Sequence, residues 1–183
     1  RRLIWDLLLP EMKDEPLPAN KKDYQKLLKK QEGYKLAEVK GKASSAFASN
    51  WENKTIELGK NTFGWKSLKL NFGKKQVTMT VTETNGKSYE LPFGYQQWIT
   101  TTFDSYPPYS ITPIDRFKGL EGPYYASGSY AWISKEELQL KAHYVNWVSA
   151  LEITFHLEEN GEVKLNVQTN YIKKPYSISG KIK

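Results

Sequence analysis

The sequence contains no cysteine, which excludes disulfide bonds, a thiolate nucleophile and thiolate metal ligands. Histidine is almost as scarce, because His143 and His156 are the only two and they lie thirteen residues apart outside any zinc-ligand motif. Each histidine also falls out of phase with the apolar residues around it, so we expect both to face solvent. We therefore predict no metal site, no cofactor and no catalytic histidine.

Long apolar runs are also missing. No stretch approaches the roughly 20 consecutive apolar residues that a membrane-spanning helix needs, so we predict no membrane span. Hydrophobic residues nevertheless make up 39% of the 183 residues, and aromatic residues make up 14%. This composition is far from that of a disordered chain and indicates one folded domain with an appendage.

The net charge of +7 is unevenly distributed along the sequence. Residues 1–42 carry +4 and residues 173–183 carry a further +4, whereas residues 43–172 carry −1. A groove for single-stranded nucleic acid would place basic residues among the aromatic residues of the strands themselves. We therefore predict no nucleic-acid partner and interpret the basic segments as solvated chain ends.

Residues 1–42 favour short helices. An apolar stripe begins at Leu3 and ends before Pro10, and Asn20 is a suitable N-cap for a second helix from Lys21 to about Gln31. Prolines separate the two segments and disfavour helix in the residue before each of them. We assign residues 1–42 to a helical linker.

From Thr55 onward apolar and polar residues alternate, which is the period of a half-buried strand. Short connectors, among them two Asn-Gly pairs, favour tight hairpins between successive antiparallel strands. We predict nine or ten strands, among them Thr55–Leu58, Tyr95–Thr100, Tyr124–Trp132 and Tyr176–Ile182. This is more than an open twisted sheet usually holds. For residues 43–183 we predict a mainly β fold, an antiparallel up-and-down lipocalin-like β-barrel preceded by one or two short N-terminal helices, with a β-sandwich as the alternative.

Residues 103–122 interrupt this pattern with a proline-rich stretch that has no period. Irregular loops of this length in compact domains are often functional. Aromatic residues concentrate around the loop, and they are the candidates for contact with a ligand or a neighbouring domain; the alternative is an aromatic core. The candidates are Trp98, Tyr106, Tyr109, Tyr124, Tyr125, Trp132 and Trp147. We expect Tyr106 and Tyr109 to be partly exposed and to lie near Trp98 or Trp132 at one barrel end.

Two sequence patterns carry a resemblance to a known family. The first eighteen residues fit W-x-x-L-L-P-x-M-K-D-x-P-L-P, and Asn61 to Phe72 fit the looser N-x-x-G-W-x-S-L-x-L-x-F. Together they resemble secreted bacterial serine hydrolases of the β-lactamase and penicillin-binding class. The resemblance implies a non-catalytic C-terminal β-domain that shapes or gates access to an upstream catalytic domain of the same chain. It also implies a periplasmic, extracellular or lipid-anchored location.

The nucleophile of that class is absent, since no serine is followed three residues later by lysine. Tyr144-Val145-Asn146 does spell the Y-x-N element of the class, and without a serine partner we attribute it to chance. We therefore predict no catalytic residue and no enzymatic activity for this chain. Two other functions stay open, which are a lipocalin-like carrier of a small apolar ligand and a carbohydrate- or peptidoglycan-binding module.

Overall fold

The alternating segments of the sequence become strands in the computed structural model, which describes residues 2–16, 18–103, 107, 123–147, 149–171 and 173–183. Within these residues there are ten strands. They are β1 (Thr55–Leu58), β2 (Trp65–Phe72), β3 (Gln76–Glu83), β4 (Ser88–Tyr95), β5 (Ile99–Phe103), β6 (Tyr124–Trp132), β7 (Glu137–Tyr144), β8 (Ala150–Leu157), β9 (Glu162–Thr169) and β10 (Tyr176–Ile182).

Short hairpins make most successive strands antiparallel neighbours, in the order β4-β3-β2-β1-β10-β9-β8-β7-β6-β5. The sheet closes into a barrel where Gly94 and Tyr95 of β4 pair in parallel with Ser129 and Tyr130 of β6. The same edge of β6 pairs over its first half with β5. Among the described residues, nine strands thus form a closed barrel with β5 beside it. The predicted lipocalin-like barrel is confirmed, and the sandwich alternative is wrong.

The inward positions of these strands form one continuous apolar cluster. Leu70, Met79, Leu140 and Phe155 are representative, since none of them retains measurable solvent exposure. Burial of such side chains is worth roughly 1.5–3 kcal/mol each, which makes this cluster the main source of stability. The barrel interior is therefore lined by packed aliphatic and aromatic groups.

One end of the barrel is covered by a 3-10 turn, Ala46–Asn50, which the sequence analysis did not predict. It places Phe47 and Trp51 in the core with 5% and 1% exposure. The backbone N–H of Asn53 donates to the Leu70 carbonyl at 3.0 Å, which fixes this segment against the last residues of β2. We call this end, with Phe47, Trp51 and the nearby Trp132, the plugged end.

The opposite end lies where β7 ends and β8 begins. The register of the strands brings Tyr124 of β6, Tyr144 of β7 and Thr169 of β9 to this level. We call this end, with Tyr124, Tyr144, Trp147, Ser149 and Thr169, the aromatic end.

The chain divides into two compact units, Arg1–Ala37 and Glu38–Lys183, and the division predicted after residue 42 stays a prediction. The first unit contains a π-helical turn (Ile4–Leu8), a 3-10 turn (Leu9–Glu11) and the helix α1 (Lys21–Glu32). Asn20 caps α1 as predicted, because its side-chain oxygen accepts from the Asp23 backbone N–H at 3.1 Å. In the part of the chain that the structure describes, no helix is both long and apolar enough to cross a membrane.

Candidate functional site

The turn between β7 and β8 forms one side of the aromatic end. It is closed by backbone hydrogen bonds, because Tyr144 N–H donates to the Ser149 carbonyl at 3.1 Å and Trp147 N–H donates to the Tyr144 carbonyl at 3.1 Å. This geometry turns the chain within five residues and carries Trp147 and Ser149 to the barrel mouth.

Asn146 fixes this turn to the start of β6. Its side-chain oxygen accepts from the Tyr125 N–H at 2.9 Å, and its side-chain nitrogen donates to the Pro123 carbonyl at 3.1 Å. The Val145 N–H adds a bond to the Tyr125 carbonyl at 2.8 Å. Through these hydrogen bonds the Y-x-N triplet joins the β7–β8 turn to the start of β6. This connection holds the site in place.

Three buried polar atoms at the aromatic end have no hydrogen-bond partner among the described residues: Trp147 Nε1, Ser149 Oγ and Thr169 Oγ1. Ser149 is 4% exposed and Thr169 is 2% exposed. A buried polar group without a partner costs about 1–3 kcal/mol, and native proteins contain few of them. Trp132 Nε1 at the plugged end and His143 Nε2 are also buried without a partner in the described part of the chain, but three such atoms at one barrel end are the feature that most needs a functional explanation.

Aromatic rings form the wall beside these atoms. The rings of Tyr124 and Trp147 meet edge to face with centroids 5.6 Å apart. Burial raises the pKa of Tyr144, and the neighbouring Tyr89 adds to the effect. Burial also raises the pKa of Tyr89, partly offset by a hydrogen bond with Trp65 and reinforced by the charge of Glu83. Both phenols therefore stay neutral at physiological pH.

No charged side chain is buried among the described residues. The buried polar side chains there are Ser127, Ser129, Ser149 and Thr169, all of them hydroxyl residues. The aromatic end thus combines neutral hydrogen-bonding groups with apolar surroundings. Such a site can hold and orient a molecule, but it offers no charged acid, base or nucleophile.

The structure separates aromatic residues that the sequence analysis grouped together. Tyr124 and Trp147 lie at the aromatic end, whereas Trp132 is buried at the plugged end, where its ring lies 5.8 Å from that of Phe72. Tyr125 points outward and is 42% exposed. These four residues therefore do not share one surface: Tyr124 and Trp132 lie at opposite ends of the same strand, and Tyr125 faces the other side of the barrel wall from Tyr124. Their role as ligand or domain contacts stays a prediction.

Trp98 lies on the outer face of the barrel, edge-on to His143 with ring centroids 5.2 Å apart. This contact leaves His143 only half-exposed, and burial together with the charge of Lys141 lowers its pKa. The expectation of a solvent-facing His143 is thus only partly met. Tyr106 and Tyr109 lie outside the described residues, so the expectation about their exposure stays a prediction.

A concave region lies at the plugged end, with a volume of about 470 Å³, between residues 41–46 and 132–135. Most of its polar groups bond within the protein. Ser45 Oγ donates to the Lys135 carbonyl at 2.7 Å, and Ser134 Oγ accepts from the backbone N–H groups of Glu136 and Glu137. Trp132 Nε1 is a buried atom of this groove without a partner among the described residues. With one such atom against three at the aromatic end, the groove is the weaker candidate.

The sequence analysis missed Ser149 and Thr169. A signal for Thr169 was present, because it continues the inward series of Val163, Leu165 and Val167 along β9. A polar residue at an inward position of an alternating strand is expected to be buried. A buried hydroxyl indicates a structural or functional role for that group. Ser149 offers no such signal, since it lies in a turn, where serine is common.

Comparison with solved structures finds barrels of the same kind at low sequence identity. A fatty acid binding protein of Schistosoma mansoni in complex with arachidonic acid gives a TM-score of 0.46 and 10% identity, over 74% of this chain and 96% of that chain. Fatty-acid-binding protein 1 of Echinococcus granulosus gives 0.47 and 12%, over 73% and 98%. The wild-type fluorescent protein UnaG gives 0.45 and 10%, over 73% and 98%. No family model and no curated protein matches the sequence.

These comparisons contradict the predicted relation to the C-terminal β-domain of a serine hydrolase. The matched region accounts for nearly the whole of each similar chain, and those chains are fatty-acid-binding or fluorescent proteins. The N-terminal pattern misled because it consists mainly of leucine, proline and charged residues, which short amphipathic segments of unrelated proteins share.

Proposed function

We propose that this chain binds a small, largely apolar molecule at the aromatic end of its barrel and performs no chemistry on it. One observation carries the proposal: three buried polar atoms without partners among the described residues belong to the barrel end at which the Tyr124 and Trp147 rings meet edge to face. Ligand sites are typically apolar surfaces with a few placed polar groups that fix orientation. A bound molecule would give these atoms the hydrogen bonds that the protein itself does not provide.

The geometry gives less support to a carbohydrate-binding function. Sugar rings stack on open aromatic faces, and Tyr125 is the only described member of the candidate group that is classed as exposed. Trp132 is buried and Trp98 lies against His143, so neither offers a free platform. The carrier function is therefore the better supported of the two alternatives.

The binding proposal is tested most directly at the Trp147 indole. The six tryptophans give separate indole N–H signals in proton–nitrogen correlation spectra, and a Trp147→Phe variant identifies the signal of interest. Titration with methyl decanoate, an apolar ester with a carbonyl acceptor, is expected to shift the Trp147 signal saturably and downfield. The Trp132 indole, at the plugged end, is the internal control and is expected to stay in place.

A spectrum in which the Trp147 signal does not move at saturating ester would overturn the proposal. The three atoms would then be satisfied by ordered water. A shift of the Trp132 signal without one at Trp147 would also overturn it, because the ligand would then lie at the other end of the barrel.

Replacing Thr169 by valine is expected to separate stability from binding. The change keeps the side-chain shape and removes a hydroxyl that has no partner, so the free energy of unfolding should stay the same or rise by up to about 1 kcal/mol. Ester affinity should fall by roughly three- to tenfold, the worth of one neutral hydrogen bond. Urea unfolding and the same titration measure the two effects.

Thr100→Val is the matched control for this substitution. The Thr100 hydroxyl lies 2.6 Å from Ser127 Oγ, and Ser127 is only 9% exposed, so the change leaves a mostly buried hydroxyl without its partner. We expect Thr100→Val to lower the free energy of unfolding by about 1–2 kcal/mol and to leave ester affinity unchanged. Equal destabilisation by the two variants would show that the Thr169 hydroxyl has a partner after all.

A further inference from the structure

The unpartnered atoms at the aromatic end are all able to donate a hydrogen bond. The indole Nε1–H of Trp147 is a donor only, and the hydroxyls of Ser149 and Thr169 can each donate as well as accept. A ligand group that satisfies the Trp147 N–H must therefore accept a hydrogen bond, and either hydroxyl can donate to the same group. A carbonyl oxygen, with two lone pairs, is the smallest common group in an apolar molecule that accepts two such bonds.

The charges around this end decide which acceptors fit. Among the described residues no Lys, Arg, Asp or Glu is buried, so a charged ligand group would find no buried counter-ion among them. Glu83, whose charge raises the pKa of Tyr89 at this end, is negative. A carboxylate would lose its hydration here without meeting a buried cation among the described residues, a cost that an uncharged acceptor avoids.

A positively charged head group fits no better. The indole N–H is a donor with a positive hydrogen, and the phenols of Tyr89 and Tyr144 are protonated at neutral pH as ordinary phenols are, with burial raising the pKa of both further. The site therefore offers a cation no ionised oxygen, although the aromatic rings would attract it weakly.

We infer that the ligand bound at the aromatic end carries a neutral hydrogen-bond acceptor, such as an ester or ketone carbonyl, in place of a carboxylate or an ammonium group. This inference rests on the proposed binding function and adds the chemical class of the ligand. It assigns the Trp147 N–H and the Thr169 hydroxyl to the ligand carbonyl, and the Tyr124 and Trp147 rings to the apolar chain beside it.

Three probes with the same alkyl chain test the inference: methyl decanoate, decanoate and decyltrimethylammonium. Their dissociation constants are compared from the saturable shift of the Trp147 indole signal at neutral pH. We expect the ester to bind at least about tenfold more tightly than either ion, because one desolvated charge costs more than a neutral hydrogen bond returns. Decane, which has no acceptor, should bind without moving the Trp147 signal downfield.

The pH dependence of decanoate binding gives a second readout. A carboxyl group titrates near about 4.3, so each step toward that pH increases the neutral, protonated fraction of the ligand. Decanoate should therefore bind more tightly as the pH falls from neutral, whereas the ester affinity should stay constant over the same range. The ester series also reports any change in the protein itself, including protonation of His143.

The outcomes separate the inference from the binding proposal. If none of the three head groups moves the Trp147 signal, the binding function is overturned. If decanoate or the ammonium probe binds as tightly as the ester, the site binds ligands but the inference about their class is wrong. Tighter ester binding that Thr169→Val weakens by the expected three- to tenfold and Thr169→Ser restores would support both.

Discussion

Replacing Gly128 with alanine is expected to lower the free energy of unfolding by about 3 kcal/mol, at the upper end of the cost of overpacking. A Cβ atom at position 128 would collide with the Pro92 carbonyl oxygen and lie 2.8 Å from the Phe93 ring. These are atoms of β4, and Gly94 pairs with Ser129 of β6 just beyond them. The added methyl therefore forces apart the two strands that close the barrel. Urea unfolding of the variant measures the effect.

Gly73→Ala is the matched control. Gly73 lies in the hairpin between β2 and β3, and a Cβ atom there would lie 3.4 Å from the Gln76 carbonyl, close to ordinary contact. We expect this variant to unfold within about 0.5 kcal/mol of the wild type, as most surface substitutions do. If the two glycine variants were equally stable, the close approach of β4 to β6 would not limit barrel closure.

The barrel could be predicted from the sequence because strand periodicity and turn chemistry agree along most of the chain. Thr55–Leu58, Tyr124–Trp132 and Tyr176–Ile182 are strands with the predicted limits. Alternation fixes which residues face inward, and short hairpins leave few ways to connect neighbouring strands. The fold class therefore follows from local signals that all point the same way.

The places where the prediction failed are those where tertiary contacts override local signals. A strand was expected over residues 95–100, but β4 ends at Tyr95 and Gln96 adopts a positive φ of 54°, which separates β4 from β5. The 3-10 turn Ala46–Asn50 is too short to show a period, so Phe47 and Trp51 gave no sign that they close a barrel end.

The candidate site was predicted only in part, and the reason is physical. Tyr124 and Trp147 were expected to contact a ligand, but the donors beside them come from a turn and from the last residue of β9. Whether a hydroxyl has a partner depends on atoms from several strands, which no single stretch of sequence displays. The function was misjudged for a related reason, because a short N-terminal pattern was given more weight than the barrel itself.

Replacing Trp51 with alanine is the second change with a large expected effect, a loss of about 3–5 kcal/mol in the free energy of unfolding. Trp51 is 1% exposed and follows the 3-10 turn at the plugged end. Its N–H donates to the Ala48 carbonyl at 3.0 Å, and its carbonyl accepts from Lys54, so the backbone holds the indole in the core. Truncation leaves a cavity that this anchored segment cannot collapse to fill.

Trp5→Ala makes the same chemical change at a tryptophan that is 66% exposed, and we expect it to alter the unfolding of the barrel by less than about 0.5 kcal/mol. The Trp51 variant also tests whether the two barrel ends are independent. If it folds at low temperature, it should still bind methyl decanoate with wild-type affinity, because Trp147, Ser149 and Thr169 lie at the opposite end. Ester affinity that falls together with stability in the folded Trp51 variant would show instead that the plugged end holds the aromatic end in its binding geometry.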